Sequence, residues 1–167
     1  FEIVFSPLFD YMLSWLFLSF INISPNFKKF LWYRWYQLLA KRYQKYDWTF
    51  MNYGYSNTNT ENHIVLNPED EENRLLIQLY HHVASAVSVS NKTVLEVGSG
   101  RGGGASYITR YLKPSSMIGI DLSENAVEFC NNVHHVSGLH FRVGDAENLP
   151  FDDNCFDTVI NIESSHC

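Results

Sequence analysis

The chain has 167 residues, 46% of them apolar and 18% charged, and carries a net charge of −6. That length allows one domain with a real core, and the apolar fraction excludes a disordered chain. The acidic balance excludes the basic face that a nucleic-acid binder normally shows, so no nucleic-acid partner is expected. Cys130, Cys155 and Cys167 are too scattered for a disulfide framework or a metal-ligand set. No metal is expected, and a reducing, cytoplasmic setting is the simpler reading. The chain begins at Phe1 and ends at Cys167, directly after a predicted buried strand, which leads us to expect a piece of a longer protein.

Residues 1–26 form an apolar block, with Leu8 to Ile23 interrupted only by the charge of Asp10. The run is slightly short for a bilayer-spanning helix, which needs about 20 apolar residues. Lys28, Lys29, Arg34, Lys41, Arg42 and Lys45 follow it; if the block spans a membrane, that bias places the rest of the chain on the cytoplasmic side. A buried or interface-lying helix is the competing reading. Residues 27–92 read as a helical, aromatic cap. The stretch FKKFLWYRWYQLLAKRYQKYDWTFMNYGY (27–55) suggests an amphipathic helix on the domain or on a membrane surface, and 56–66 is a polar loop. Asn67 and Pro68 suit the N-cap and first position of a helix, and Glu69 to Glu72 suit its first turn. Leu75, Leu76, Leu79 and Val83 recur at helical spacing and are expected to form its buried face.

From Thr93 onward strands alternate with helices. T-V-L-E-V is followed by a glycine-rich turn and a helix bearing Ala105, Ile108 and Leu112. M-I-G-I-D is followed by a helix capped by Ser123, with Ala126, Val127, Cys130 and Val133 inward. L-H-F-R-V and F-D-T-V-I-N-I are the third and fourth strands. This alternation predicts an α/β fold with a Rossmann-like, doubly wound parallel sheet over residues 93–167, preceded by an N-terminal helical extension.

Three motifs fall at the ends of these strands. In Glu96-Val97-Gly98-Ser99-Gly100-Arg101-Gly102, Gly98 permits a sharp turn, and Gly100 and Gly102 leave room for a ligand at the backbone. A glycine pattern alone also fits dinucleotide-binding proteins. Glu96, on the strand two residues before the first glycine, instead suits a cationic ligand terminus such as the amino group of an amino acid. Asp121, 23 residues after Gly98, ends the second strand where an acid can accept both ribose hydroxyls; Leu122 adjoins it. Asp145, in GDAENLPF, can accept from an exocyclic adenine amine while Ala146 leaves space for the ring. A tight turn would use Gly144-Asp145 equally well.

These residues resemble the class I methyltransferases. VLEVGSGRGGG is similar to their first motif, IGIDLS to the second-strand acid motif, and GDAENLPFDDNCFDTVINIESSH to the adenine and fourth-strand motifs. The resemblance implies S-adenosylmethionine as cofactor, with Glu96, Gly98, Ser99, Gly100, Gly102, Asp121, Leu122, Asp145, Ala146 and Glu163 around it. A narrower resemblance, through FLWYRWYQLL, FMNYGY, EDEENRLLIQLYHH, GGGASYITRYLKP and NIESSHC, is to the phthiotriolone/phenolphthiodiolone dimycocerosate methyltransferases and their relatives, which are lipid O-methyltransferases. It runs from about residue 27 to the end and implies a small-molecule, lipid-like acceptor; the apolar block 1–26 lies outside it and on its own hydrophobicity suggests membrane association. His166, just past the fourth strand where related O-methyltransferases carry a His at the substrate, is the candidate general base, and a surface His is the alternative. Glu163 is expected to contact the cofactor or orient His166. Tyr53 and Tyr55 are candidates to close over the substrate, against simple aromatic packing. His81, His82, His134 and His135 are expected to be solvated. Methyl transfer to carbon or nitrogen, a non-catalytic module and a dinucleotide-dependent dehydrogenase are the alternatives, the last disfavoured by Glu96 and by GDAENLPF.

Overall fold

A computed structural model describes residues 30, 31, 34, 48–56 and 64–164. The apolar block 1–26 and His166 lie outside the described residues. Four parallel strands form the sheet: β1 (Thr93–Val97), β2 (Ser116–Asp121), β3 (Leu139–Val143) and β4 (Thr158–Asn161), in the order β3-β2-β1-β4. The register pairs Leu95 with Ile118 on one side and with Val159 on the other. The chain passes from β1 to β2 in one direction and later crosses back to place β4 on the opposite side of β1. The order therefore reverses beside β1, and the crevice at the carboxyl ends of β1 and β4 is where an open α/β sheet takes its ligand.

The helices whose full extent lies among the described residues are α1 (Arg74–Ala84), α2 (Gly103–Tyr107) and α3 (Glu124–Val133). α1 is preceded by a 3-10 segment, Pro68–Asn73, and α2 continues into a π-helical turn, Ile108–Leu112. Lys113 ends that turn in the left-handed region at φ 55°, directly before Pro114, which cannot continue a helix. Ser123 caps α3 as its sequence predicts, its Oγ accepting from the Ala126 N–H at 3.2 Å. Asn67 precedes Pro68 but makes no side-chain cap; its own N–H donates to the Tyr111 hydroxyl at 2.9 Å. Asp70, expected only to complement a helix dipole, is buried in a two-pronged ion pair with Arg110 at 2.6 and 2.8 Å and accepts from the Tyr111 hydroxyl at 2.5 Å. The Arg110 hydrogen bonds hold the Asp70 carboxyl below its usual range despite desolvation.

One core joins all three helices to one face of the sheet. Ile77, Tyr80, Tyr107, Ile108, Val127 and Cys130 meet Val94, Met117, Phe141 and Ile160 there. On the opposite face, Leu95, Val97 and Ile120 pack with Ile118 of the same face and with Phe151 and Phe156, and Val159 is 58% exposed. The buried face of α1 differs from the sequence expectation. Ile77, Tyr80 and Ala84 point inward, Leu76 and Leu79 are partly buried, and Leu75 and Val83 are exposed. Tyr80 sets this rotation. Its ring lies flat against Gly104 of α2, where a Cβ would come within 1.8 Å of the ring, and burying a large side chain of this kind stabilises by about 2–3 kcal/mol. A helix turned to bury Leu75 would withdraw that ring. Gly104→Ala is therefore expected to cost about 3 kcal/mol or more through overpacking, read as a fall in the unfolding midpoint with retained helical circular dichroism.

Candidate functional site

The turn leaving β1 is stitched to β2. The N–H groups of Gly98 and Ser99 both donate to the Ile120 carbonyl at 2.9 Å. Gly98 adopts φ 74°, and a Cβ there would lie 2.3 Å from Ser164, so both the conformation and the space demand glycine. Beside Gly100 (φ 53°) the nearest group is the Met51 sulfur, 3.3 Å from where a Cβ would be. Gly102 departs from its expected role: the space at its α-carbon is filled by Phe141, His134 and Cys130, with a Cβ falling 2.7–2.9 Å from each. Gly102 serves packing there, whereas only Met51 lies near the α-carbon of Gly100.

Two acids stand under and beside this loop. Asp121, at the end of β2, accepts from the Gly100 N–H at 2.8 Å through Oδ2 and from the Ser123 N–H at 2.9 Å through Oδ1. Burial raises its pKa, and the two backbone donors oppose that rise. Each oxygen retains a lone pair directed away from the backbone. Glu96 is 1% exposed on the helix side of β1, and neither of its carboxylate oxygens has a partner in hydrogen-bond geometry. Burial pushes its pKa up to about 8, and the negative charge of Asp121 adds to that; the nearby Tyr80 hydroxyl and Ala105 N–H pull the other way. Ser99 is also buried, and its hydroxyl likewise has no partner in that geometry.

At the end of β3, Asp145 closes a tight turn. Its Oδ1 accepts from the Glu147 N–H at 3.0 Å, and its carbonyl accepts from the Asn148 N–H at 3.1 Å. Ala146 is exposed beside it, and Leu122 is 37% exposed after β2. The turn that the sequence offered as an alternative is thus present, and it presents Ala146 at the same end of the sheet as Asp121.

A strap formed by residues 48–55 crosses the glycine loop, and its main anchor, Arg101, is invisible to motif reading. Arg101 is 2% exposed; its Nε donates to the Trp48 carbonyl, and its guanidinium stacks on Phe129 at 3.6 Å and Trp48 at 5.0 Å. Gly103 donates to the Thr49 carbonyl at 3.0 Å, Met51 lies over Gly100, and the Tyr53 N–H donates to Glu163 at 3.1 Å. The strap therefore joins the loop after β1 to the segment after β4. Tyr53 itself is 95% exposed, whereas Tyr55 stacks on His82 at 4.5 Å and is anchored by its N–H to the Leu75 carbonyl. The only sequence signal for Arg101 was a long cation set among glycines, where a solvated side chain would be the default. The expectation of solvated histidines fails at two positions: His81 pairs with the Tyr107 hydroxyl at 2.7 Å, and His134 donates to the Arg101 carbonyl at 2.8 Å. His82 is exposed, with one ring face stacked on Tyr55. Burial lowers the pKa of both His81 and His134.

The donor set fits S-adenosylmethionine. A buried carboxylate lacking a partner suits an ammonium, an acid with spare lone pairs at the end of β2 suits a diol, and the open α-carbon of Gly100 suits close approach of a ligand. Among the described residues, no helix is long and apolar enough to cross a membrane, and no group of three or more His, Cys, Asp or Glu is placed to hold a metal ion.

Comparison with known proteins leads the same way. Residues 95–167 match a family model described as a methyltransferase domain. A protein named phthiotriol/phenolphthiotriol dimycocerosates methyltransferase from Mycobacterium tuberculosis is 45% identical over 144 residues, covering 86% of this chain and 53% of that protein. A protein named fatty-acid O-methyltransferase from Mycolicibacterium smegmatis is 46% identical over 131 residues, covering 78% of this chain and 47% of that protein. The chain spans about half the length of the curated relatives it matches. Among solved structures, the geranyl diphosphate C-methyltransferase from Streptomyces coelicolor A3(2) superposes with a TM-score of 0.58 at 20% identity, over 78% of this chain and 54% of that one, which shows a shared fold. The family match shows that residues 95–167 form a methyltransferase domain, and the strand order with the shared fold makes it a Rossmann-like class I methyltransferase fold.

Proposed function

We propose that the chain binds S-adenosylmethionine and serves the transfer of its methyl group to a hydroxyl on a hydrophobic, lipid-like small molecule. The observation that carries the cofactor assignment is the buried Glu96 carboxylate, which has no partner in hydrogen-bond geometry and lies directly under the glycine turn. When bound, the cofactor supplies a methyl carbon activated by a positively charged sulfur. Glu96 meets the ammonium of its amino-acid end. Asp121, held rigid by the Gly100 and Ser123 N–H groups, accepts the ribose hydroxyls through its remaining lone pairs. Asp145, Ala146 and Leu122 flank the adenine. Gly98, Ser99 and Gly100 present the loop backbone.

The enzyme's main task in such a reaction is to hold the acceptor oxygen in line with the methyl group. The names of the two relatives, both lipid-directed, support an apolar acceptor. On this reading the exposed Tyr53 and its neighbour Met51 stand on the acceptor side of the strap, and Tyr55 supports them from α1. Glu163, tethered to the Tyr53 N–H, reports strap position to the segment that leads to His166. His166 accepts the proton of the acceptor hydroxyl. The apolar block 1–26 brings the domain, on the cytoplasmic side, to a membrane-borne acceptor.

Three outcomes test this reading. S-adenosylhomocysteine titrated calorimetrically into the protein should bind, and Asp121→Ala should weaken binding about 100-fold or more, as loss of two hydrogen bonds to a charged group implies. A folded protein that takes up no ligand would sink the cofactor assignment. Arg101→Ala should lower unfolding free energy in denaturant by about 3 kcal/mol, the sum of a charged hydrogen bond and its stacking. With a long-chain alcohol as acceptor, His166→Ala should lower kcat about 100-fold or more while leaving S-adenosylhomocysteine affinity unchanged. A carboxylate acceptor, already ionised at neutral pH, should be nearly indifferent to that change. Acceptor screening that finds turnover only on carbon or nitrogen would replace O-methylation with those chemistries.

A further inference from the structure

Glu96 faces titratable or charged groups from the elements around it. Tyr80 comes from α1, Asp121 from β2 and Cys130 from α3; beyond them, Glu163 after β4 acts on Tyr80, and Arg101 of the loop above acts on Cys130. The Tyr80 hydroxyl and the Ala105 N–H lie near the carboxylate, yet neither oxygen reaches hydrogen-bond geometry with a partner. The guanidinium of Arg101 is stacked between Trp48 and Phe129 and tied to the Trp48 carbonyl. Asp121 opposes a second negative charge at this depth. A fully buried carboxylate in such surroundings is expensive to ionise, and the accessible alternative is to hold a proton.

We propose that the cofactor site is proton-coupled: Glu96 is a neutral carboxylic acid in the free protein and releases its proton to solvent when the ammonium group of the ligand arrives. This rests on the cofactor reading above. The O–H bond of the Glu96 carboxyl breaks, the proton passes to buffer, and no bond of the ligand changes. The ammonium supplies the counter-charge that the free site lacks. The sign follows from linkage. The free carboxyl, with its pKa near 8, is mostly protonated at pH 7, whereas the paired carboxylate in the complex is not. Affinity therefore rises with pH by about tenfold per unit below pH 7.5 and levels off above about pH 8. Discrimination follows from the same balance. A ligand with no positive charge at this end leaves the proton in place, so the site separates amino-acid-bearing nucleosides from plain ones by charge.

The experiment is calorimetric titration of S-adenosylhomocysteine into the 167-residue protein at pH 7 in phosphate and in Tris, whose ionisation enthalpies differ, repeated from pH 6 to 9. The expected result is release of about one proton per ligand at pH 7, diminishing above pH 8, together with the rise in affinity. Glu96→Gln is expected to bind more weakly with no proton release and a flat pH profile. 5′-Methylthioadenosine, which lacks the amino-acid end, is expected to bind the unaltered protein without release, a comparison that needs no variant to fold. Tight binding with no net proton release at pH 7 would overturn the coupling and leave the cofactor reading standing. Release that persists in Glu96→Gln, or that accompanies methylthioadenosine binding, would overturn the assignment of the proton to Glu96. Absence of binding by folded protein at every pH would remove the cofactor reading and the coupling together.

Discussion

The sharp turn at the end of β1 is the constraint on which the other features of the site depend. β1 lies between β2 and β4, so the chain leaves it in the middle of the sheet and must fold directly over the strand ends. A turn that tight exposes successive N–H groups, and a buried loop cannot leave them unpaired. The Ile120 carbonyl takes two of them and the Asp121 carboxylate a third. Asp121, the acid proposed for ribose, is thus first a structural brace for the loop, and its position cannot drift without loosening the turn. The left-handed conformation of Gly98 and its contact with Ser164 then tie the same turn to the end of β4. One local geometry fixes the spacing of Glu96, Gly100 and Asp121.

The sheet was legible because buried parallel strands read as short apolar runs between turn residues, a pattern that survives without tertiary information. The predicted bounds of the first and third strands, 93–97 and 139–143, agree with the structure. The face of α1 was not legible. Its sequence RLLIQLYHHVA offers apolar residues on several sides, and periodicity alone weighs Leu75 as heavily as Ile77. The outcome was decided by the flat surface of Gly104, 24 residues beyond Tyr80, which no local pattern encodes. Asp70 was misread for a similar reason: an acid in a first turn is adequately explained by the helix dipole until Arg110, 40 residues away, is brought to it.

The site divided along the same line. The positions of Glu96, Asp121 and Asp145 near the carboxyl ends of β1, β2 and β3 were legible because each follows from a strand in a fixed register, so spacing along the chain translates into placement at one end of the sheet. Arg101 and the strap were not, since the link from Arg101 to Trp48 spans 53 residues and rests on stacking and a backbone carbonyl. The histidines show the limit of composition-based defaults. A His on a polar helix face is solvated unless a hydroxyl such as that of Tyr107 arrives from another element. Likewise a fold shared with a C-methyltransferase at 20% identity says nothing about the atom that accepts the methyl group, because the acceptor is chosen by the groups lining its approach and not by the sheet.

On the proposed reading, the burial that favours a cationic partner at Glu96 also weakens the free protein. A carboxyl whose folded pKa lies well above its unfolded value gives stability that is fully present below the unfolded value and is lost as pH rises through the folded one. With a folded value near 8 and a reference of 4.5, that loss falls across the neutral range. A hydrophobic residue or Gln at this place would relieve the penalty, and strain retained at a site of this kind is the usual sign that function holds it there. Under the proposed coupling, an ammonium at Glu96 would reverse the sign by stabilising the charged form, so the complex would be least affected where the empty site is weakest. The strap stacks Trp48 over Arg101 and places Met51 above Gly100, so the loop over the buried carboxyl is held by side chains rather than by the glycines alone.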